Sequence, residues 1–442
     1  MAGRSQQLTE PGWGITLAAG VLVLLGVASI YVTDTHYVSG HDGPRNAAKQ
    51  LVFIASTMGI GWAVLRIGYS AIARHSYALF ALGVLALLPL AIAKGFQVHL
   101  GGLTAPINGA YRWFRLPGFQ LQPSEFMKIA YVLALAWYLR YRCNYRRLGG
   151  LLLPMAVSVV PLGLILLEPD LGTVLLLIPV QLAMLFLAGA RIRHLAIVVA
   201  LGLAAAPLAW GQIRGYQRAR ITAVLLQSTQ LRRAVIERPT SFEGFISKRQ
   251  ALEWEASSGY QLVHAKNAIG SGGILGHGWG GGAYVVSDLL PDRHNDFVFA
   301  VVAHQWGLTG CLILLLGFGV IVLAGVRIAS ATADPFGRLL AGGLVTLLAT
   351  QVVINVGMSL GLMPITGMTL PFVSYGGSSL LSNGIAVALL ISVSQHRPFL
   401  LATRPFDFAR DETPRATLFD VDAERSGDEA AEKIAVPARS RG

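Results

Sequence analysis

Asp296–Val326 reads DFVFAVVAHQWGLTGCLILLLGFGVIVLAGV, a run in which the first residue carries the only charge. A helix that is apolar all round belongs deep in a large protein or in a bilayer, where about 20 residues cross about 30 Å of hydrocarbon. This run is longer than one crossing needs, so a tilt or a break near Gly307 and Gly310 is expected. His304 and Gln305 are its odd members. Their ordinary reading is a packed polar pair.

Nine further apolar runs lie on either side, at about 14–33, 50–67, 76–93, 125–141, 149–167, 172–189, 193–211, 338–360 and 377–395. Together they describe an all-α polytopic membrane protein of about ten transmembrane helices. Composition agrees. Of 442 residues 54% are hydrophobic and only 13% charged, against about 25% charged in soluble domains. The first run is too long for a signal-peptide core and lacks a small-x-small cleavage site, so it reads as a retained helix.

The basic residues set an orientation. Arg66 and Arg74 flank one short connector, and Arg140, Arg142, Arg146 and Arg147 fill another. Arg191 with Arg193, and Arg327 with Arg338, mark two more. With ten spans all four fall on one side, while connectors 168–171 and 361–375 hold no Lys or Arg. The positive-inside rule then places both termini in the cytoplasm.

Two outer loops result, about 94–124 and 212–295. The second, between the seventh and eighth spans, is far longer than a routine connector. Within it Leu225 to Glu255 is polar and expected to be helical in part. Ala268 to Gly282 is so rich in glycine that regular structure is not expected. Residues 1–395 are read as the transmembrane domain and 396–442 as a charged, disordered cytoplasmic tail.

Several function classes drop out. The net charge of +12 comes from helix ends and loops rather than a basic face, so no nucleic-acid partner is implied. Cys143 and Cys311 give no disulfide framework. The stretch from Gly270 to Gly278 lacks the Gly-Lys-Ser/Thr ending of a nucleotide-binding P-loop. It is plausible only as a loop that brings backbone N–H groups to a lipid-linked phosphate. No histidine set has metal-ligand spacing.

The charges near the outer boundary remain. Glu125 and Lys128 share one helical face and read equally as a site or as an i,i+3 ion pair. Glu168-Pro169-Asp170 reads as a site or as a helix end followed by an N-cap, and Asp296 as a catalytic group or a cap of its own helix. Arg112, Arg115, Arg214, Arg218 and Arg220 line a polar cavity on one reading and anchor lipid headgroups on the other.

Six segments in order resemble one family. Gly109-Ala110-Tyr111-Arg112-Trp113 with Gln122-Pro123-Ser124-Glu125 and Lys128 is similar to the GAxRW…QPSExxK signature of the SEDS proteins (shape, elongation, division and sporulation). Glu168 to Thr173 resembles their (E/Q)PDLGT turn, and Tyr216 to Arg220 their YQxxR element. Gly259-Tyr260-Gln261 with Ala268 to Gly273 resembles GYQ…AIGSGG. Leu290 to Phe297 is similar to LPxxHTDF, and Leu370 to Ser379 to PFxSYGGSS. The segment Phe336 to Leu344 looks more like the elongation member RodA than the division member FtsW.

The resemblance implies a peptidoglycan glycosyltransferase of the bacterial cytoplasmic membrane that polymerises lipid II. Its implied partners are a class B penicillin-binding protein, which cross-links the glycan, and the cell-shape or division machinery. The family's functional aspartate maps onto Asp296, which suits a general base for the attacking sugar hydroxyl. The leaving group is a diphosphate, so Arg112, Lys128, Arg218 and Arg220 are candidates to stabilise its charge. Glu125, Ser374 and Tyr375 complete the candidate substrate-binding set. No protein metal site is expected, and a divalent cation, Mg2+ or Mn2+, is the one cofactor class left open.

Two departures stand out. Asn295 replaces the family's threonine, and His304-Gln305 replaces an acidic pair. The second keeps alive a catalytically weak scaffold for the penicillin-binding protein. A flippase for the lipid-linked precursor is the other alternative, although it would spread charge along the helices rather than gather it at one end.

Overall fold

The computed structural model describes residues 10–35, 45–96, 104, 111–116, 119–141, 144–210, 215–242, 244–256, 258–286, 289–290 and 294–395. Arg142, Cys143, Arg214, the Gly109-Ala110 pair and the expected tail lie outside them. The chain opens with α1 (Glu10–Thr35), α2 (Arg45–Ile67), the short α3 (Tyr69–Ala73) and α4 (Ser76–Phe96). Strands β1 (Phe114–Leu116) and β2 (Phe119–Leu121) form an antiparallel hairpin with Arg115 opposite Gln120. Then follow α5 (Pro123–Leu139), α6 (Leu148–Leu167), α7 (Leu171–Leu187) and α8 (Ile192–Trp210). The long loop carries α9 (Gly215–Leu225), α10 (Thr229–Glu237), α11 (Lys248–Leu252), α12 (Ser258–Ser271) and α13 (Ala283–Val286). Three helices close the described chain: α14 (Val298–Ala331), α15 (Pro335–Ser359) and α16 (Gly377–Gln395).

Each of the ten apolar runs coincides with a helix. Among the described residues seven of these are long and apolar enough to cross a membrane, in α1, α2, α4, α6, α14, α15 and α16. The other three are shorter, with α5 and α7 at 17 residues each and the apolar part of α8 spanning Ile192–Leu208.

Burial sorts the helices. In α5 nearly every side chain is covered, and α15 and α16 are mostly covered too. By contrast α2 and α6 expose leucine, valine and tryptophan on much of their surface. A helix that is apolar all round needs an apolar surrounding. The inner helices find it in protein and the outer ones face the bilayer. The closest neighbours are α1 with α14, α2 with α16, α4 with α5, and α15 with α7 and α14.

The long loop folds on its own small core. Trp254, Leu262, Ala265, Ala268 and Val285 pack with Phe297, Ala300 and Val301 at the start of α14. Trp254 donates its indole N–H to the Ala223 carbonyl at 3.0 Å. This explains one difference from the sequence reading. Helix α12 runs on through Ser271 because its buried face, Leu262, Ala265 and Ala268, has a helix to pack against. Only 272–282 is irregular.

Helix α14 breaks where its glycines indicated. Gly307 has φ +61° and ψ −154°, outside the helical region and tolerated by glycine. The break frees carbonyls before it and N–H groups after it, and the glycine-rich loop meets both. His277 and Gly278 donate to the carbonyls of His304 (3.1 Å) and Gln305 (3.0 Å), while Leu308 and Thr309 donate to Gly273 (2.9 Å) and Ile274 (3.1 Å). A β-carbon at Gly272 would fall 1.9 Å from the Ala303 carbonyl oxygen, and one at Gly276 would fall 2.2 Å from that of Gln305. These glycines therefore serve a backbone-to-backbone splice. The N–H groups of His277 and Gly278 are spent on α14.

Candidate active site

Asp296 stands just before Phe297, the N-cap position of α14. Its carboxylate lies beside Gly367, at which a β-carbon would lie 3.4 Å from Asp296 Oδ2 and 3.6 Å from Arg220 Nη1. Carboxylate and guanidinium thus converge on one glycine. Arg220 also donates to the Thr366 carbonyl at 3.4 Å.

The motif around Ser374 holds this region from the other side. Ser374 donates through Oγ to the Asn295 carbonyl at 2.6 Å and accepts from the Leu370 N–H at 2.8 Å. Tyr375 donates its backbone N–H to the His294 carbonyl at 2.8 Å, and the two rings lie edge to face at 6.0 Å. Burial, and after it the Asp34 carboxylate, hold the Tyr375 phenol above its usual range. It is therefore a neutral hydrogen-bonding group across the physiological range.

Glu125 and Lys128 form their ion pair, at 2.8 Å, almost fully buried. Glu125 also accepts from Ser382 Oγ at 2.9 Å, and Lys128 reaches Gln351 Oε1 at 3.5 Å. Gln351 passes the link on by donating to the Thr369 carbonyl at 2.9 Å. Thr369 Oγ1 meets Ser379 Oγ at 2.6 Å, and Asn383 donates to that same Ser379 hydroxyl. The pair is thus tied through the 366–370 segment to the neighbourhood of Asp296.

Arg112 points elsewhere. Arg112 is buried and donates to the carbonyls of Glu168 and Pro169. Asp170 does cap α7, accepting from the Thr173 N–H at 3.3 Å, and it also accepts from Ser124 at 3.1 Å. Glu168 is fully buried, and among the described residues neither carboxyl oxygen has a hydrogen-bond partner. Burial first, then the neighbouring Asp170, push its carboxyl up to about 9 against the pull of Arg112. Arg218 lies 5.9 Å from the Trp210 ring.

The departures from the family motif are also placed. His304 Nδ1 bonds Ser271 Oγ at 2.8 Å, and its ring meets that of His277 at 4.5 Å. The pair His304-Gln305 is buried against the glycine loop, as a packed polar pair would be. Sequence reading passed over Gln351 and Asn355. The signal was two amides four residues apart, on one face of an apolar helix.

The family model FtsW/RodA/SpoVE, described as "Cell cycle protein", matches residues 13–398. This chain belongs to that SEDS family. Its SEDS relatives include a probable peptidoglycan glycosyltransferase FtsW from Trichlorobacter lovleyi, 32% identical over 88% of this chain and 94% of that protein. Another is the peptidoglycan glycosyltransferase MrdB of Escherichia coli, 32% identical over 79% of this chain and 90% of that one. Among solved structures the SEDS fold superposes on a chain of a peptidoglycan synthase complex that coordinates polymerization and crosslinking. The TM-score is 0.67 at 27% identity, with 87% of this chain and 98% of that chain covered. FtsW and MrdB relatives stand level in identity, so membership of the SEDS family is shown without a choice between its branches.

Proposed function

We propose that this chain is a peptidoglycan glycosyltransferase that polymerises lipid II on the outer side of the bacterial cytoplasmic membrane, with Asp296 as general base. The observation that carries the base assignment is the convergence of Asp296 and Arg220 on Gly367. Asp296 takes the proton of the acceptor sugar hydroxyl, and that oxygen bonds to the anomeric carbon of the donor. The bond from that carbon to the diphosphate breaks, and undecaprenyl diphosphate leaves with the bonding electron pair. Arg220 is the cation best placed to meet the developing negative charge. The buried Lys128 and Arg112 act at one remove, by holding the 366–370 segment and the 168–170 turn.

A divalent cation, Mg2+ or Mn2+, fits this site only together with substrate. Among the described residues no three His, Cys, Asp or Glu side chains converge on a common point. Mg2+ is commonly held by one or two carboxylates plus substrate phosphates, and Asp296 is the carboxylate present. The class B penicillin-binding protein, the cell-shape machinery and cytoplasmic termini belong to the same proposal. The elongation role rests on the segment from Phe336 to Leu344.

The test is polymerisation of lipid II by the protein with its transpeptidase in proteoliposomes. The parent makes glycan strands, and Asp296→Asn makes none while keeping its melting temperature and its partner. Polymer at the parental rate from the variant removes Asp296 as the base. A parent that makes no polymer in any partner or cation condition favours the scaffold.

A further inference from the structure

The glycine-rich turn spliced into α14 carries three large apolar side chains that are mostly exposed. Ile274 is 70% exposed, Leu275 76% and Trp279 64%. They are continuous with Leu308 and Leu312, exposed on the membrane-facing side of α14 just past its break, since Thr309 donates to the Ile274 carbonyl. Such an exposed apolar patch on a loop asks for a partner.

Helix lengths give the level of the turn. On α1, exposed Trp13 and Tyr31 are eighteen residues apart, about 27 Å of helical rise. Tyr31 meets the Trp279 ring at 6.2 Å. On α14, Arg327 and Leu308 are nineteen residues apart, about 28 Å. Both distances match a hydrocarbon core of about 30 Å. Trp13 and Arg327 then mark one boundary, and Tyr31, Trp279 and Leu308 the other. Aromatic side chains gather at such boundaries.

We infer that the 273–279 turn is a membrane wedge. Trp279 lies at the interface, and Ile274 and Leu275 enter the acyl chains of the adjoining leaflet. A loop can hold this position only if its backbone polar groups are satisfied. The hydrogen bonds exchanged with 304–309 satisfy four of them, the carbonyls of Gly273 and Ile274 and the N–H groups of His277 and Gly278, and the headgroup level of the turn leaves water for others. This gives the broken helix and the glycines a common reason. A third helix puts the candidate site at the same height. Asn355, which bonds the Asp296 carbonyl, lies seventeen residues above Arg338 on α15, about 26 Å. The wedge thus fixes Asp296 level with lipid headgroups. It stands independently of any catalytic role for that residue.

The test is a spin label on Leu275→Cys in a Cys143→Ser, Cys311→Ala background, in liposomes without any partner protein. A reference label sits on Arg249→Cys in exposed α11. The expected ratio of oxygen to nickel-chelate accessibility is severalfold higher at 275 than at 249. A ratio equal to that at 249 means water contact and overturns the wedge. Protection from both reagents means protein cover by a second copy and overturns lipid as the occupant. Brominated phospholipids supply a second reading without cysteine. They should quench the parent protein more than Trp279→Phe, and equal quenching counts against insertion.

Discussion

Asn355 donates through Nδ2 to the main-chain carbonyl of Asp296 at 3.0 Å and to that of Met368 at 2.6 Å. One buried amide thereby joins the entry to α14 with the segment that carries Gly367. In Asn355→Leu the shape is kept, but two carbonyls lose their donor, at a cost of about 1–3 kcal/mol. Displacing a reacting group by about 1 Å is worth on the order of 100-fold in rate. Turnover of lipid II should therefore fall steeply with KM little changed. Steady-state kinetics alongside a melting curve check this, and parental turnover in a folded variant would show that Asp296 needs no such anchor.

Gly26 on α1 lies against the Phe372–Val373 turn. A β-carbon there would stand 2.6 Å from the Val373 carbonyl oxygen and 2.7 Å from its α-carbon, and backbone cannot swing aside as a side chain can. That turn leads into Ser374, which holds Asn295. Gly26→Ala should therefore destabilise by about 1–3 kcal/mol, as overpacking does, despite alanine's better helix propensity. A β-carbon at Gly20 on the same helix would meet nothing within 4 Å among the described residues. Gly20→Ala is the control, and equal melting temperatures for the two variants would contradict the close approach.

What the sequence made legible was local. Apolar runs give helices whatever surrounds them, so all ten appeared, and Gly307 marked the break because few other residues accept its φ. The Glu125–Lys128 pair and the Asp170 cap follow from spacing along one helix. What escaped depended on chain return. The use of Gly272 and Gly276 requires that 272–278 meet 303–309, and Arg112 finds its acceptors more than fifty residues away at Glu168 and Pro169. No periodicity reports such meetings.

The Glu125–Lys128 pair should show the asymmetry of buried ions. Removing one partner leaves an uncompensated charge, at about 3–5 kcal/mol, whereas replacing both by apolar or neutral groups of similar shape costs far less. Lys128→Met should thus be severely destabilised, and adding Glu125→Gln should recover much of the loss. Chemical or thermal unfolding of the single and double variants measures it. A double variant less stable than Lys128→Met alone would mean that the network contributes more than charge balance.

Glu168 should make stability depend on pH. Its carboxyl keeps its proton up to about 9 in the folded protein, mainly through burial, against an ordinary value of 4.5. Between those values the folded state holds a proton that the unfolded state has released. Stability is therefore greatest below about 4.5 and declines as pH rises toward about 9, by about 1.4 kcal/mol per pH unit for this one group. Glu168→Gln stays neutral throughout and should lose that slope. The two melting-temperature profiles should then diverge progressively toward alkaline pH, with the variant the more stable there. Parallel profiles from pH 5 to 9 would mean that Glu168 is ionised in the fold and that the Arg112 guanidinium, not burial, sets its charge.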